Sequence, residues 1–194
     1  MINPESMSIL VVDDMKSMRL TIRKMLKNLN IGGTLRFAGD GREGLEVLNS
    51  TKCDLAILDW NMPVMNGIEM LEKIRNDKGL RDMPVIMVTA EAERDIVVHV
   101  AEAEIDAYLL KPLTLAALDD KIKQVIERAN NPDKATIHRL KARQLEEQGD
   151  YDGAIQHIRL ALTIKPSASR LLRQLGLLHF KIGKPKIAEK CLLK

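Results

Sequence analysis

Short apolar runs alternate with helical stripes through the first 130 residues. Ile9–Val12, Leu55–Leu58, Val85–Val88 and Ala107–Leu110 are nearly continuous apolar runs, and Thr34–Ala38 is a weaker one. Runs of this length without polar alternation suit parallel strands buried on both faces. Between them, Met18, Ile22, Met25, Leu26 and Leu29 form one stripe, while Arg19, Arg23, Lys24 and Lys27 lie elsewhere on the same helix. Leu45 and Leu48 mark a second helix, and Ile68, Leu71 and Ile74 a third, opened by Asn66-Gly67. A fourth is predicted over 93–103, and Leu118, Ile122, Val125, Ile126 and Ala129 mark a fifth. Five strands alternating with five helices predict an α/β fold, a doubly wound (βα)5 parallel sheet with helices on both faces. The flavodoxin-like strand order is the natural one at this length.

The pattern changes at Asn130-Asn131-Pro132-Asp133, a short breaker. The expected division is a first domain over 1–129, a linker over 130–134 and an all-α helical-repeat segment over 135–194. No strand signal follows the breaker. Gly149 recurs 34 residues later as Gly183, and Ala154 as Ala188. A fixed period with small residues at fixed offsets predicts stacked helix pairs, one full repeat over 135–168 and part of another over 169–194. Lys194 falls inside the last predicted helix with no C-cap residue, which reads as a truncated repeat or a stub that packs on something else.

Composition narrows the function classes. Apolar residues are 45% and charged residues 29% of the 194, the balance of a globular chain. No apolar run approaches the ~20 residues of a membrane span, and Met1 leads into Asn3, Pro4 and Glu5 rather than a secretory signal. Cys53 and Cys191 form no spaced set, which excludes a disulfide framework and a cysteine zinc site and predicts a cytoplasmic protein. Residues 1–133 carry 17 basic and 22 acidic side chains, and residues 134–194 carry 13 and 5, an acidic body with a basic tail. Aromatics at 3% are too few for a surface that stacks single-stranded bases.

Polar residues of the first domain gather where strands end. Asp13 and Asp14 follow the first strand, Asp59 ends the third, Thr89 the fourth, and Lys111 follows the fifth. A lone aspartate there is usually a helix N-cap, but in a parallel sheet all four ends lie on the carboxyl edge, where open α/β folds bind ligands. Three converging carboxylates repel one another and need positive charge. Lys111 supplies one charge, and a divalent cation preferring hard oxygen ligands, Mg²⁺, supplies the rest. A carboxylate held beside a cation, an ammonium and a hydroxyl is arranged to receive a phosphoryl group.

The motifs Val11-Val-Asp-Asp14, Leu58-Asp-Trp-Asn-Met-Pro63 with Gly67, Val88-Thr-Ala90 and Tyr108-Leu-Leu-Lys-Pro112 resemble the CheY-like receiver domain of bacterial two-component response regulators. The resemblance covers about two-thirds of the chain. It implies that Asp59 is the phosphoacceptor, and that Asp13 and Asp14, with Asp59 and the backbone carbonyl of Asn61, hold Mg²⁺. It further implies that Thr89 binds a phosphoryl oxygen, that Lys111 pairs with the phosphoryl group, and that Tyr108 turns inward with Thr89 as the switch. Glu104 stands where such domains usually carry glycine, which bears on the loop after the fourth helix. The implied partner is a sensor histidine kinase, with output through the face formed by the fourth helix, fifth strand and fifth helix, or through a homodimer.

Ala142, Leu145, Gly149, Tyr151, Ala154, Ala161 and Pro166 are similar to a tetratricopeptide repeat, as are Leu172, Leu175, Gly176, Gly183 and Ala188. That resemblance implies a downstream protein partner. His138 and Leu172 replace the usual aromatic of the first helix. No DNA-binding module is recognisable, and the chain reads as a signalling phosphoacceptor that assists its own phosphorylation and dephosphorylation rather than as an enzyme. Two alternatives stand beside this. A haloacid-dehalogenase-type aspartyl-phosphate phosphatase uses a similar set but needs an aspartate two residues after the nucleophile, where this chain has Asn61. A scaffold whose receiver serves only for dimerisation is the other. His99, His138, His157 and His179 show no metal spacing and read as surface or packing residues.

Overall fold

The structure is a computed structural model that describes residues 1–90 and 105–193. The predicted helix over 93–103, with His99, Glu104 and Lys194, lies outside the described residues. In chain order the elements are β1 (Ser8–Val12), α1 (Lys16–Asn28), β2 (Thr34–Ala38), α2 (Gly41–Ser50), β3 (Leu55–Asp59), α3 (Gly67–Asn76), β4 (Val85–Thr89) and β5 (Ala107–Leu110). They continue with α4 (Leu115–Asn130), α5 (Lys134–Glu147), α6 (Tyr151–Ile164), α7 (Ser169–Lys181) and α8 (Pro185–Leu192).

The five strands form one sheet in the order β2-β1-β3-β4-β5, every pair parallel. The order follows from the chain's path: it steps outward from β1 to β2, returns past β1 to β3, and continues outward. The loops after β1 and β3 therefore leave in opposite directions and open a crevice at the carboxyl edge.

Alternate residues of each strand feed two separate cores, because successive side chains of a strand point to opposite faces. Ile9, Val11, Leu55, Ile57, Ile86 and Val88 pack with Ile22 and Leu26 of α1 and Leu118, Ile122 and Val125 of α4. Leu10, Val12, Ala56, Leu58, Val85 and Met87 pack with Leu48 of α2 and Met70, Leu71 and Ile74 of α3. Burial on both faces explains the continuous apolar runs.

Local signals set the helix starts near the carboxyl edge. Asp40 caps α2 by accepting from the Arg42 and Glu43 N–H groups. Asn66 and Glu69 form a reciprocal capping box at α3. Gly67 is required by contact: a Cβ on it would stand 2.1 Å from the Asp59 carbonyl oxygen. At the opposite edge, the Arg75 guanidinium is buried, with Nη2 donating to Asp106 Oδ2 at 2.8 Å and Nη1 to the Met83 carbonyl at 2.8 Å. Asp106 Oδ2 also accepts from the Val85 N–H, so both ions keep hydrogen bonds that burial would otherwise remove.

Residues Met1–Asn130 form one compact unit and Asn131–Lys194 a second, all-helical one. The helical core uses small residues, Ala135, Ala142, Ala154, Ala161 and Ala188, with Ile155, Ile158, Leu171, Leu175 and Leu178. Gly149 and Gly183 take φ of +81° and +72° at the turns after α5 and α7, a conformation costly for other residues, which accounts for their recurrence. Asp133 caps α5 through the Thr136 N–H and pairs with Lys165. First the Lys165 bond and then the Thr136 N–H lower its pKa to about 2.

The histidines of this unit are not surface residues of one kind. His179 is 3% exposed, and neither ring nitrogen has a hydrogen-bond partner among the described residues. Burial, then the charges of Arg159 and Lys184, push its pKa down. His138 of α5 and His157 of α6 bring their Nδ1 atoms to 3.0 Å, with ring centroids 5.3 Å apart and planes tilted by 38°.

Candidate functional site

The sheet places Asp13, Asp59, Thr89 and Lys111 at one edge. Asp59 is the last residue of β3 and pairs in register with Val88, one residue before Thr89 ends β4. Thr89 pairs with Leu110, and the Lys111 N–H donates to the Thr89 carbonyl at 2.8 Å. Asp13 extends β1, its N–H donating to the Ala38 carbonyl of β2. Asp13, Asp59 and Thr89 are all buried, at 1%, 6% and 1% exposure, among the few polar side chains so enclosed. Asp14 is exposed.

Lys111 Nζ lies 2.7 Å from Asp59 Oδ1 and 3.3 Å from Asp13 Oδ2, joining the carboxylates across the crevice. Carboxylate oxygens of Asp13, Asp14 and Asp59 fall within 4.8 Å of one another. Cis and trans oxygens around an octahedral Mg²⁺ are separated by about 2.9 and 4.2 Å, given its ~2.1 Å bonds. Three carboxylate oxygens grouped on that scale, an all-oxygen donor set, suit one such ion.

Electrostatics follow from that packing. Burial pushes the Asp59 carboxyl above the ordinary aspartate value, and Asp13 and Asp14 add to the rise, while the Lys111 hydrogen bond and charge oppose it. At Lys111 burial favours the neutral amine. The Asp59 hydrogen bond and the charges of Asp59 and Asp13 outweigh it and hold the ammonium above the usual lysine range. Ionising Asp59 is therefore costly until a cation or a covalent partner takes up its charge.

The other expected site residues, Asn61 and Tyr108, carry exposed side chains. Asn61 is exposed in the β3–α3 loop, two residues after Asp59. Tyr108 is 44% exposed on β5, and Leu110, on the same face, 45%. Trp60 packs against the α2–α3 core, and its backbone N–H donates to the Val88 carbonyl at 2.8 Å. Val64, in the same loop, has φ of +68°, strained for a β-branched residue.

One contributor was not legible in the sequence. Arg19, on the first turn of α1, reaches back so that Nη1 donates to the Asp13 carbonyl at 2.5 Å and the Asp14 carbonyl at 3.1 Å. In the sequence it reads as one of four cations on a solvent face. Its six-residue offset from Asp13 was the available clue.

Known proteins match the same part of the chain. Residues 9–123 match the family described as the response regulator receiver domain. The chemotaxis protein CheY of Pseudomonas aeruginosa is 43% identical over 124 residues, covering 64% of this chain and 99% of that protein. CheY-3 of Vibrio cholerae is 40% identical over 124 residues, covering 64% and 95%. Among solved structures, V. cholerae chemotaxis protein CheY4 aligns with a TM-score of 0.58 at 28% identity, over 62% of this chain and 98% of that one. A CheY-like receiver domain protein from Methanospirillum hungatei aligns at 0.59 and 30%, over 66% and 99%.

Proposed function

The chain belongs to the response regulator receiver family, and from this premise we propose that it is a two-component response regulator that accepts a phosphoryl group on Asp59. The donor is a phosphohistidine of a sensor histidine kinase. An Asp59 carboxylate oxygen attacks phosphorus, the new O–P bond forms as the N–P bond breaks, and the imidazole leaves with the electron pair. The observation that carries the reading is Lys111 Nζ between Asp59 and Asp13 within the triad of carboxylates. Asp13, Asp14, Asp59 and the backbone carbonyl of Asn61 would hold Mg²⁺. The ion, when bound, neutralises charge on the transferring oxygens.

This chain's own groups do the rest. Lys111 exchanges part of its contact with Asp59 for a phosphoryl oxygen, and the Thr89 hydroxyl donates to another. Tyr108, exposed at 44%, turns inward as Thr89 is drawn over. The Asn61 amide cannot shuttle a proton, which argues against phosphatase chemistry of the haloacid-dehalogenase kind. The helical unit, with its 34-residue recurrence of glycine turns, is read as tetratricopeptide-like and as the contact surface for a downstream protein. A cytoplasmic site of action belongs to the same reading.

Acetyl phosphate with Mg²⁺ tests the central step. Wild type is expected to gain one acid-stable, base-labile phosphoryl group by intact mass, and Asp59→Asn none. Equal labelling of the two would remove Asp59 as the acceptor.

A further inference from the structure

We infer that Arg19 is a positioning residue that sets the cation affinity of the carboxylate triad through the backbone of the β1–α1 loop. The inference rests on the phosphoacceptor reading of the triad.

The loop has little else to order it. The N-cap of α1 is Met15, which makes no side-chain cap hydrogen bond and is 54% exposed. Asp13 is fixed from several sides: its N–H bonds to β2, Oδ2 meets Lys111, and Oδ1 accepts from the Met15 N–H at 2.9 Å. Asp14 is different. Among the described residues nothing bonds its carboxylate, and its carbonyl is held by Arg19.

One guanidinium nitrogen gathers two successive carbonyls, those of Asp13 and Asp14. That grip fixes the peptide between them and the Cα–Cβ direction of Asp14, the triad's only exposed member. A carboxylate already aimed loses less conformational freedom when it takes an ion.

The charge of Arg19 works the other way. A cation near three carboxylates repels an incoming metal ion, so an effect of charge alone makes Arg19 weaken binding. The two accounts therefore predict opposite signs. Arg19→Gln removes the charge and the two-carbonyl grip. Arg19→Lys keeps the charge but replaces the planar fork with a single ammonium.

The test is the Mg²⁺ dependence of acetyl-phosphate labelling in the full chain, with Mg²⁺ titration of Trp60 fluorescence alongside. Half-saturation is expected to rise about tenfold in Arg19→Gln, the size of effect typical when support of a metal ligand is lost. Arg19→Lys should fall between Gln and wild type. The labelling plateau at saturating Mg²⁺ should match wild type in both, which a general loss of folding would not allow. Tighter binding in Arg19→Gln, wild-type half-saturation in both variants, or a lowered plateau with unchanged half-saturation overturns the inference. The fluorescence arm needs no phosphorylation, so it reports on Arg19 even if labelling of Asp59→Asn defeats the phosphoacceptor reading.

Discussion

Asp13 and Asp59 at the carboxyl edge and His179 in α7 are all buried ionisable side chains, at 1%, 6% and 3% exposure. Their surroundings differ. At the edge, each costly group stands beside one of complementary chemistry: Lys111 bridges two carboxylates, and a third carboxylate completes a cation-sized cluster. In the helical unit, neither ring nitrogen of His179 has a hydrogen-bond partner among the described residues, and the ring is flanked by the repelling charges of Arg159 and Lys184. Both places give up stability. Only the edge offers a ligand something in return, so convergence of partners, rather than burial of a charge, marks the site.

The most damaging way to probe the contrast is Gly67→Ala. The added methyl would overlap the Asp59 carbonyl oxygen, and the expected loss is about 3 kcal/mol with failure to phosphorylate, read by chemical denaturation and labelling. Gly149→Ala, which meets no atom within 4 Å, should cost only its positive-φ strain. Equal losses at the two glycines would deny that the edge is the constrained region.

Metal linkage comes next. At Mg²⁺ a hundredfold above its dissociation constant, wild type should gain about 2.7 kcal/mol by thermal or urea unfolding, and Asp59→Asn much less. Without metal the order reverses. The folded Asp59 pKa is raised, so whatever stability the group contributes is present below its unfolded value near 3.8 and lost as pH rises through the folded value. Metal-free Asp59→Asn should therefore unfold at higher temperature than wild type at neutral pH, and the gap should close under acid. A gap independent of pH would mean that ionisation of Asp59 is not the cost.

His179→Leu removes a ring that has no hydrogen-bond partner among the described residues and is expected to stabilise the helical unit by about 1 kcal/mol. The His179 pKa is lowered in the folded state, so its stability is present above the unfolded value near 6.5 and lost as pH falls through the folded one. The variant should flatten that acid-side loss. Destabilisation by His179→Leu at neutral pH would reveal an unseen partner and erase the contrast. A gain of similar size, about 1 kcal/mol, is expected at Val64, where Asn tolerates the φ of +68°, without any change in labelling. Lost labelling would show the strained loop to be part of the acceptor site.

The sheet was legible because burial on both faces leaves a simple trace, an apolar run ended by a polar residue. Asp13, Asp59, Thr89 and Lys111 stood out as such endings, and parallel topology brought them together. Residues that act across the fold left no trace of that kind. Arg75 sits in an ordinary helical pattern, and its pairing with Asp106 depends on packing 31 residues away. Arg19 reads as a solvent-facing cation because its bonds run to carbonyls, which no sequence displays. The His138–His157 contact depends on the register between two helices, which the 34-residue period does not specify. The inward face of His179 was hidden because a histidine in a stripe of leucines reads equally as rim or core.

The approach of Gly67 to the Asp59 carbonyl has a mechanical consequence. The Gly67 N–H also donates to the Trp60 carbonyl at 3.0 Å, so contact and bond join the tip of β3 to the first turn of α3. No compressible side chain lies between them. The strand tip and helix behave as one strut, and the Asp59 main chain cannot recoil when its carboxylate gains or loses charge. Displacement at the site must travel through its softer neighbours, the side chains of Thr89 and Lys111 and the loop that Arg19 restrains.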